Sequence, residues 1–483
     1  MGRLRRLAEA TPAGRNRYVD LLRALAIVMV VLGHWAVASI GYDEAGQPTG
    51  RSALPELPWA YPLTWVVQVM PVFFLVGGYA NAASLTSHRR RGGDATGWLL
   101  GRSARLLRPT TVLVVVLAAA ALVARLLGAE PALVRAVVWF ATIPLWFLAA
   151  YLAVVPLTPV MHPLHRRYGL LVPLALAALV ALGDLGRGLG PAEAALPNYL
   201  FGWLAVHQLG FAWYDACHGP SDGPARPPDT SVSPEPQNRG ERRGLRSRRL
   251  PLSRRAGWTA LLGGLTAAVL LTWPGPYPVS MINVPGERLD NAAPPSLALL
   301  ALTTAQIGLI LLLRHRAERW LGRDRPWMAV IAVNAVVLTV FLWHLTATIL
   351  LVGALDAVGL LPTPAPGSAA WAAWRLPWVL MLAVVLAVLV AVFGPVEART
   401  GRPPAARGPG PSAGGGPGRR WRAAGRATLA AAGFAAVVYA LVDNAVTPRS
   451  APEPFGLPAL ALVAYLAGAG VLRLLRSGWG SRG

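Results

Sequence analysis

Apolar residues dominate the chain in blocks of about 20, the length an α-helix needs to cross the hydrocarbon core of a bilayer. Twelve such blocks stand out, at residues 18–40, 61–85, 109–127, 137–160, 168–185, 198–217, 257–273, 295–313, 327–354, 374–393, 427–443 and 456–475. Each is long enough to span as a helix, the form that satisfies its own backbone groups in lipid. The pattern predicts an all-α polytopic membrane protein. The first block has a basic start and an Ala36-Val37-Ala38 triplet resembling a signal-peptide cleavage site. Arg23 and His34 interrupt its apolar run, so it reads instead as a retained helix.

Composition strengthens that reading. Hydrophobic residues make up 54% and charged residues only 14% of 483 positions, where a soluble protein carries about a quarter charged. So apolar a chain is not disordered, and the single cysteine, Cys217, rules out a disulfide-built secreted domain. Lysine is absent, so the 45 basic residues are all arginine; against 22 acidic residues the net charge is +23. That excess does not point to nucleic acid, because the arginines fall between the apolar blocks. With the N-terminus placed in the cytoplasm and the blocks alternating, only Arg51, Arg125, Arg135, Arg187, Arg288, Arg375 and Arg449 lie in loops on the outer side. Such positive-inside bias predicts an even number of crossings of the inner (plasma) membrane, with both termini cytoplasmic. Residues 1–17 form a basic cytoplasmic N-terminus and 477–483 a cytoplasmic tail. The Pro-, Ser- and Arg-rich stretch 219–255 is expected to be a disordered cytoplasmic loop. A Gly/Pro/Arg-rich linker at 395–426 separates the last two spans, within 427–476, from the other ten.

Strongly polar side chains inside a span mark candidate function, since lipid offers them no partner. Arg23 and His34 stand eleven residues apart, which puts both on one helix face, about 20° apart with a rise of roughly 16 Å. Asp20 can pair with Arg23 across one turn. The plainer alternative is a snorkelling arginine and a buried structural histidine. Gln68, Gly77, Gly78 and Asn81 occupy the second span, the glycines permitting close helix approach. Arg102, Arg105 and Arg108 precede Pro109 at helical spacing, a guanidinium group suited to phosphates or anionic headgroups, or simply to setting topology. Asn198, His207 and Gln208 in the sixth span, Thr303, Thr304 and Gln306 in the eighth, and Asn334, Thr339 and His344 in the ninth serve either chemistry or helix association. No metal is expected, because no His-x3-His or Cys/His cluster lies in a span. No serine within a span has the surroundings of a nucleophile elbow, and without lysine there is no P-loop.

Tyr18-Val19-Asp20-Leu21-Leu22-Arg23, continuing to Leu32-Gly33-His34, resembles the opening helix of the acyltransferase 3 family of integral membrane O-acyltransferases. Arg23 and His34 match that family's Arg-x10-His motif. Pro71-Val72-Phe73-Phe74-Leu75-Val76-Gly77-Gly78-Tyr79 is similar to its second-helix signature, with Gly77-Gly78 where Ser-Gly is usual. The arginines before Pro109 resemble its cytoplasmic Arg motif, spaced here by three rather than two. Leu145-Trp146-Phe147-Leu148 and Leu342-Trp343-His344 also have counterparts. The resemblance covers the first ten spans and implies a ten-helix acyltransferase-like transmembrane bundle over residues 18–394, with two additional C-terminal transmembrane helices. It implies transfer of an acyl group, acetyl above all, from cytoplasmic acyl-CoA as donor co-substrate to a hydroxyl of a cell-surface carbohydrate or related acceptor. His34 is then the catalytic residue, as general base or acyl acceptor. Arg23, Arg102 and Arg105 bind the donor, with Asp20, Asn198 and His344 as possible support. The partners implied are acyl-CoA, the hydroxyl acceptor and membrane lipid, with no nucleic acid.

A competing reading is a polytopic transporter or flippase with an intramembrane proton-relay histidine, though no internal repeat of the kind transporters show is visible. A non-catalytic scaffold is a third. Because the resemblance ends before residue 395, a chain truncated after Glu397 is expected to keep a folded, active core.

Overall fold

A computed structural model describes residues 15–44, 46–218, 250–285, 289–398 and 417–477. Of the described residues 78% are helical, which establishes an all-α polytopic membrane protein. In chain order the elements are α1 (Arg17–Val37), a hairpin of β1 (Ala38–Tyr42) and β2 (Pro48–Ser52), α2 (Met70–Arg90), α3 (Ala95–Leu126), α4 (Pro131–Thr142), α5 (Leu145–Val154), α6 (Thr158–Tyr168), α7 (Leu171–Leu189) and α8 (Asn198–His218). They continue with α9 (Arg254–Thr272), α10 (Leu297–Leu321), α11 (Asp324–Ala335), α12 (Val337–Ala357), α13 (Ala369–Ala398), α14 (Pro417–Val446) and α15 (Ala459–Arg476). Most of the expected N-terminus, of the 219–255 loop and of the 395–426 linker lies outside the described residues. Their described ends are more ordered than expected. Ser253 caps α9 by accepting from the Ala256 amide, and both ends of the linker are helical.

Among the described residues, eleven helical segments are long and apolar enough to cross a membrane. The sixth expected block is present as α8, a full 21-residue helix, but it carries Asn198, His207, Gln208, Asp215 and His218 and is too polar to meet that criterion. Three blocks expected to be single spans are broken, the second, 61–85, at Gln68 and Val69 between a short helix Thr64–Val67 and α2. Residues 137–160 divide into α4, α5 and α6, with Pro144 at the first break, where a proline cannot supply the amide a continuous helix needs. Residues 327–354 divide at Val336, which stands between α11 and α12. There the Glu397 carboxylate from the end of α13 accepts from the Leu338 and Thr339 amides and from the Thr339 hydroxyl. A helix start leaves amides without internal partners, and Glu397 supplies them.

The chain forms two compact units. The first comprises Met1–Tyr61, Gly92–Pro156 and Leu321–Gly483 and contains α1, the hairpin, α3–α5 and α11–α15. At its centre α1 packs on α11, α12 and α13, and α3 lies against α12 and α13. The second comprises Pro62–Arg91 and Leu157–Trp320 and holds α2 and α6–α10, with α8 packed on α2 and α7. Gly78 on α2 and Gly210 on α8 meet backbone to backbone: a Cβ on either would collide with the other helix's main chain.

The two C-terminal helices do not stand apart as the sequence suggested. In the first unit α14 packs on α5, and α15 packs on α3. Arg135 of α4 is fully buried and its guanidinium is wrapped by acceptors from this segment: Asn444 Oδ1 at 2.8 Å, the carbonyls of Asn444 at 3.0 Å, Thr447 at 2.8 Å and Gly456 at 3.1 Å, with Pro448 at 3.4 Å. Tyr465 of α15 shares a hydrogen bond of 3.1 Å with Thr111 of α3. A buried guanidinium has five N–H groups to satisfy, and here the extra helices satisfy them. A chain ending at Glu397 would leave the Arg135 guanidinium without these acceptors.

Candidate active site

Asn16 starts α1 by accepting from the Tyr18 and Val19 amides. That cap fixes the phase of the helix, so Asp20 and Arg23 fall in its first two turns and His34 in its last. The α11–α12 segment runs beside α1 in the same direction. At one end the Asn334 amide donates to the Asp20 carbonyl at 2.9 Å. At the other, His34 Nδ1 and His344 Nε2 are 2.7 Å apart. The ring planes are 5° from parallel and the centroids 5.0 Å apart, so the rings meet edge to edge through this contact rather than face to face. His344 is completely buried and His34 half-buried. The second nitrogen of His344, Nδ1, lies 2.6 Å from the Phe341 carbonyl oxygen. The His344 carbonyl in turn accepts from Trp35 Nε1 at 3.2 Å and from the Thr348 hydroxyl at 3.3 Å. Phe341 meets Phe147 edge-on at 5.4 Å, so the Leu145-Trp146-Phe147-Leu148 run walls the pair on α5. Beyond the helix the hairpin closes over this end, with the Tyr42 hydroxyl donating to Asp356 at 2.8 Å. That hydrogen bond to a carboxylate pushes the Tyr42 phenol above its usual range.

The other end of α1 is basic. Asp20 is buried and accepts from Arg15 at 2.6 Å; its second oxygen is 3.4 Å from Arg23. This is the pairing across one turn that the spacing predicts. Arg102 on α3 is half-buried, hydrogen-bonds to Tyr151 of α5, and lies near enough to Arg23 and Arg105 for their charges to interact. Arg105 and Arg108 are exposed. Arg15 and Arg17 lie over the Trp327 indole, 6.0 and 5.0 Å from its centroid. Like charges gathered around one carboxylate repel one another, and an anion is what relieves that repulsion. Tyr151 and the Phe341 carbonyl were not legible as site groups, since neither belongs to a motif with its own chemical signature.

Asn198 is placed differently. It lies in the second unit, where its amide donates to the Val180 carbonyl and to Asp184, both at 3.1 Å. Asp184 also accepts from Arg187 at 3.0 Å, from the Tyr277 hydroxyl at 2.9 Å and from the Leu297 amide at 2.8 Å. Asn198 is thus one spoke of a hub centred on Asp184, bonded through its Nδ2 while its Oδ1 is buried without a partner. Burial and the Asp184 carboxylate push the Tyr277 hydroxyl well above the usual phenol range, and burial raises the neighbouring Asp290 carboxyl. The second-helix signature also lies in this unit, on α2, where Asn81 and His207 are 3.0 Å apart. Among the described residues no three His, Cys, Asp or Glu side chains converge as a metal site would require.

Residues 16–394 match the family described as Acyltransferase domain (Acyl_transf_3). Comparison with curated proteins and with solved structures returns no match. The match takes in α1 to α13 and with them both ends of the site just described. The chain therefore belongs to this acyltransferase family and is a multi-pass membrane acyltransferase.

Proposed function

We propose that the protein moves an acyl group, acetyl in the simplest case, from cytoplasmic acyl-CoA to a hydroxyl of a cell-surface carbohydrate or related acceptor. The observation that carries this reading is the layout of α1: Arg23 at one end, close enough to Arg15 and Arg102 for their charges to interact, and the His34–His344 pair at the other. The separation along the helix is roughly 16 Å. The phosphates of a coenzyme A donor suit Arg23, Arg102 and Arg105, because guanidinium forks grip phosphate oxygens bidentately. Its extended pantetheine arm then reaches along α1 and presents the thioester near His34. Neutral imidazole is matched to taking a proton from a hydroxyl at physiological pH. As the acceptor oxygen bonds to the thioester carbonyl carbon, its proton passes to His34. The C–S bond breaks, and that proton leaves with the thiolate as free thiol. On this reading the basic end faces the cytoplasm and the hairpin end faces outward.

The test is purified protein in detergent or nanodiscs with acetyl-CoA labelled in the acetyl group. Consumption of the thioester, with label appearing on an added glycan pool, is expected, and His34→Ala should abolish it. An intact thioester across acyl chain lengths would return the chain to a transport or scaffold role.

A further inference from the structure

The hydrogen bonds around His344 determine which nitrogen of His34 is available. A carbonyl oxygen only accepts, so the 2.6 Å contact between His344 Nδ1 and the Phe341 oxygen requires a proton on that Nδ1. A neutral imidazole carries one N–H, which leaves His344 Nε2 with a lone pair. The 2.7 Å contact to His34 then has its proton on His34 Nδ1, donated to His344. His34 is left with its lone pair on Nε2. Both bonds are made at once, with both rings neutral, in this arrangement alone. The Trp35 and Thr348 hydrogen bonds to the His344 carbonyl hold the turn that carries the ring.

We infer that His344 is a positioning residue that locks His34 in the Nδ1–H form, so that Nε2 is the nitrogen that takes the acceptor's proton. This rests on His34 acting as the base. When Nε2 takes up that proton, His34 becomes an imidazolium whose Nδ1–H points at the His344 lone pair. The positive charge is then shared along the chain from His34 to His344 to the Phe341 carbonyl. The third group in this relay is a histidine, where a carboxylate commonly orients the base. A neutral partner avoids placing a second buried charge beside the site.

Two substitutions separate this role from simple packing. His344→Phe keeps a ring and removes the acceptor. His344→Gln places a carbonyl oxygen close to the position of Nε2. Protein with 15N-labelled histidine, its His34 signals assigned by their loss in His34→Ala, reports which ring nitrogen carries the proton. In the unmodified protein His34 should show a protonated Nδ1 and a bare Nε2. In His344→Phe it should shift toward the Nε2–H form, and kcat should fall about 100-fold or more, part of what a positioned base contributes, with KM for acyl-CoA little changed. His344→Gln should keep the Nδ1–H form and most of the rate. A protonated Nε2 on His34 in the unmodified protein overturns the inference. So does a His344→Phe protein whose His34 pattern is unchanged. The proposed function fails separately, through an active His34→Ala or an inert thioester, and the nitrogen spectrum decides the His344 assignment in either case.

Discussion

Arg23 has a contact of 3.4 Å to Asp20, long for a hydrogen bond, and Asp20 is held more closely by Arg15. Arg23 is therefore available to a ligand, and Arg23→Ala should weaken acyl-CoA binding while leaving the bound complex competent. Loss of one charge-assisted hydrogen bond costs about 1.5–3 kcal/mol, roughly ten- to a hundred-fold in affinity. Arg23→Lys should recover part of this, since an ammonium cannot make the forked contact. Titration calorimetry with a non-hydrolysable thioether analogue of acyl-CoA measures it, and an unchanged affinity would make Arg23 a structural residue. Arg23 and His34 were legible because the eleven-residue spacing puts both on one face of one helix. Tyr151 was not, because what makes it relevant is a contact with Arg102 from another helix.

At the scale of elements, the α2–α8 pair is the tightest test. A Cβ on Gly210 would meet the Leu75 carbonyl and the Tyr79 amide of α2, backbone atoms that cannot swing aside. Gly210→Leu should force the helices apart and destabilise the second unit by about 1–3 kcal/mol or more. Gly263 on α9 has open space around its Cβ position, so Gly263→Ala should be neutral or stabilising, by up to about 1 kcal/mol through helix propensity. Thermal unfolding in detergent compares the two, and equal behaviour would refute the packing argument. The close approach of α2 was suggested by Gly77-Gly78, and Gly78 carries it. The break at Val336 had no such signal. Neither proline nor glycine stands there, and what stabilises it is a carboxylate on α13.

For the whole molecule, the C-terminal helices are decisive. Truncation after Glu397 strips the fully buried Arg135 of Asn444, Thr447, Pro448 and Gly456 together. The truncated chain should unfold or aggregate on extraction. In the full-length chain Arg135→Ala should cost at least about 3 kcal/mol, because several acceptors lose a charged donor at once. Fluorescence-detected size-exclusion after a heat ramp reads both. A truncated protein as heat-stable as the full chain would show that these helices only decorate the domain.

Sequence alone determined what depends on local chemistry. The apolar runs report a lipid environment, α-helix follows because a continuous run of about 20 residues satisfies its own backbone groups within the segment only as a helix, and the residues on one face of α1 follow from the helical period. The Arg-x10-His spacing with the second-helix signature was enough to point to the family. Tertiary structure decided what depends on partners far apart in the chain. His34 meets His344 310 residues away, Arg135 is satisfied from 309 residues away, and Asn198 joins Asp184 rather than the histidines. A hydrogen bond is directional and short, so its partner is fixed only when packing has set the register of two helices. No periodicity within a single helix carries that information.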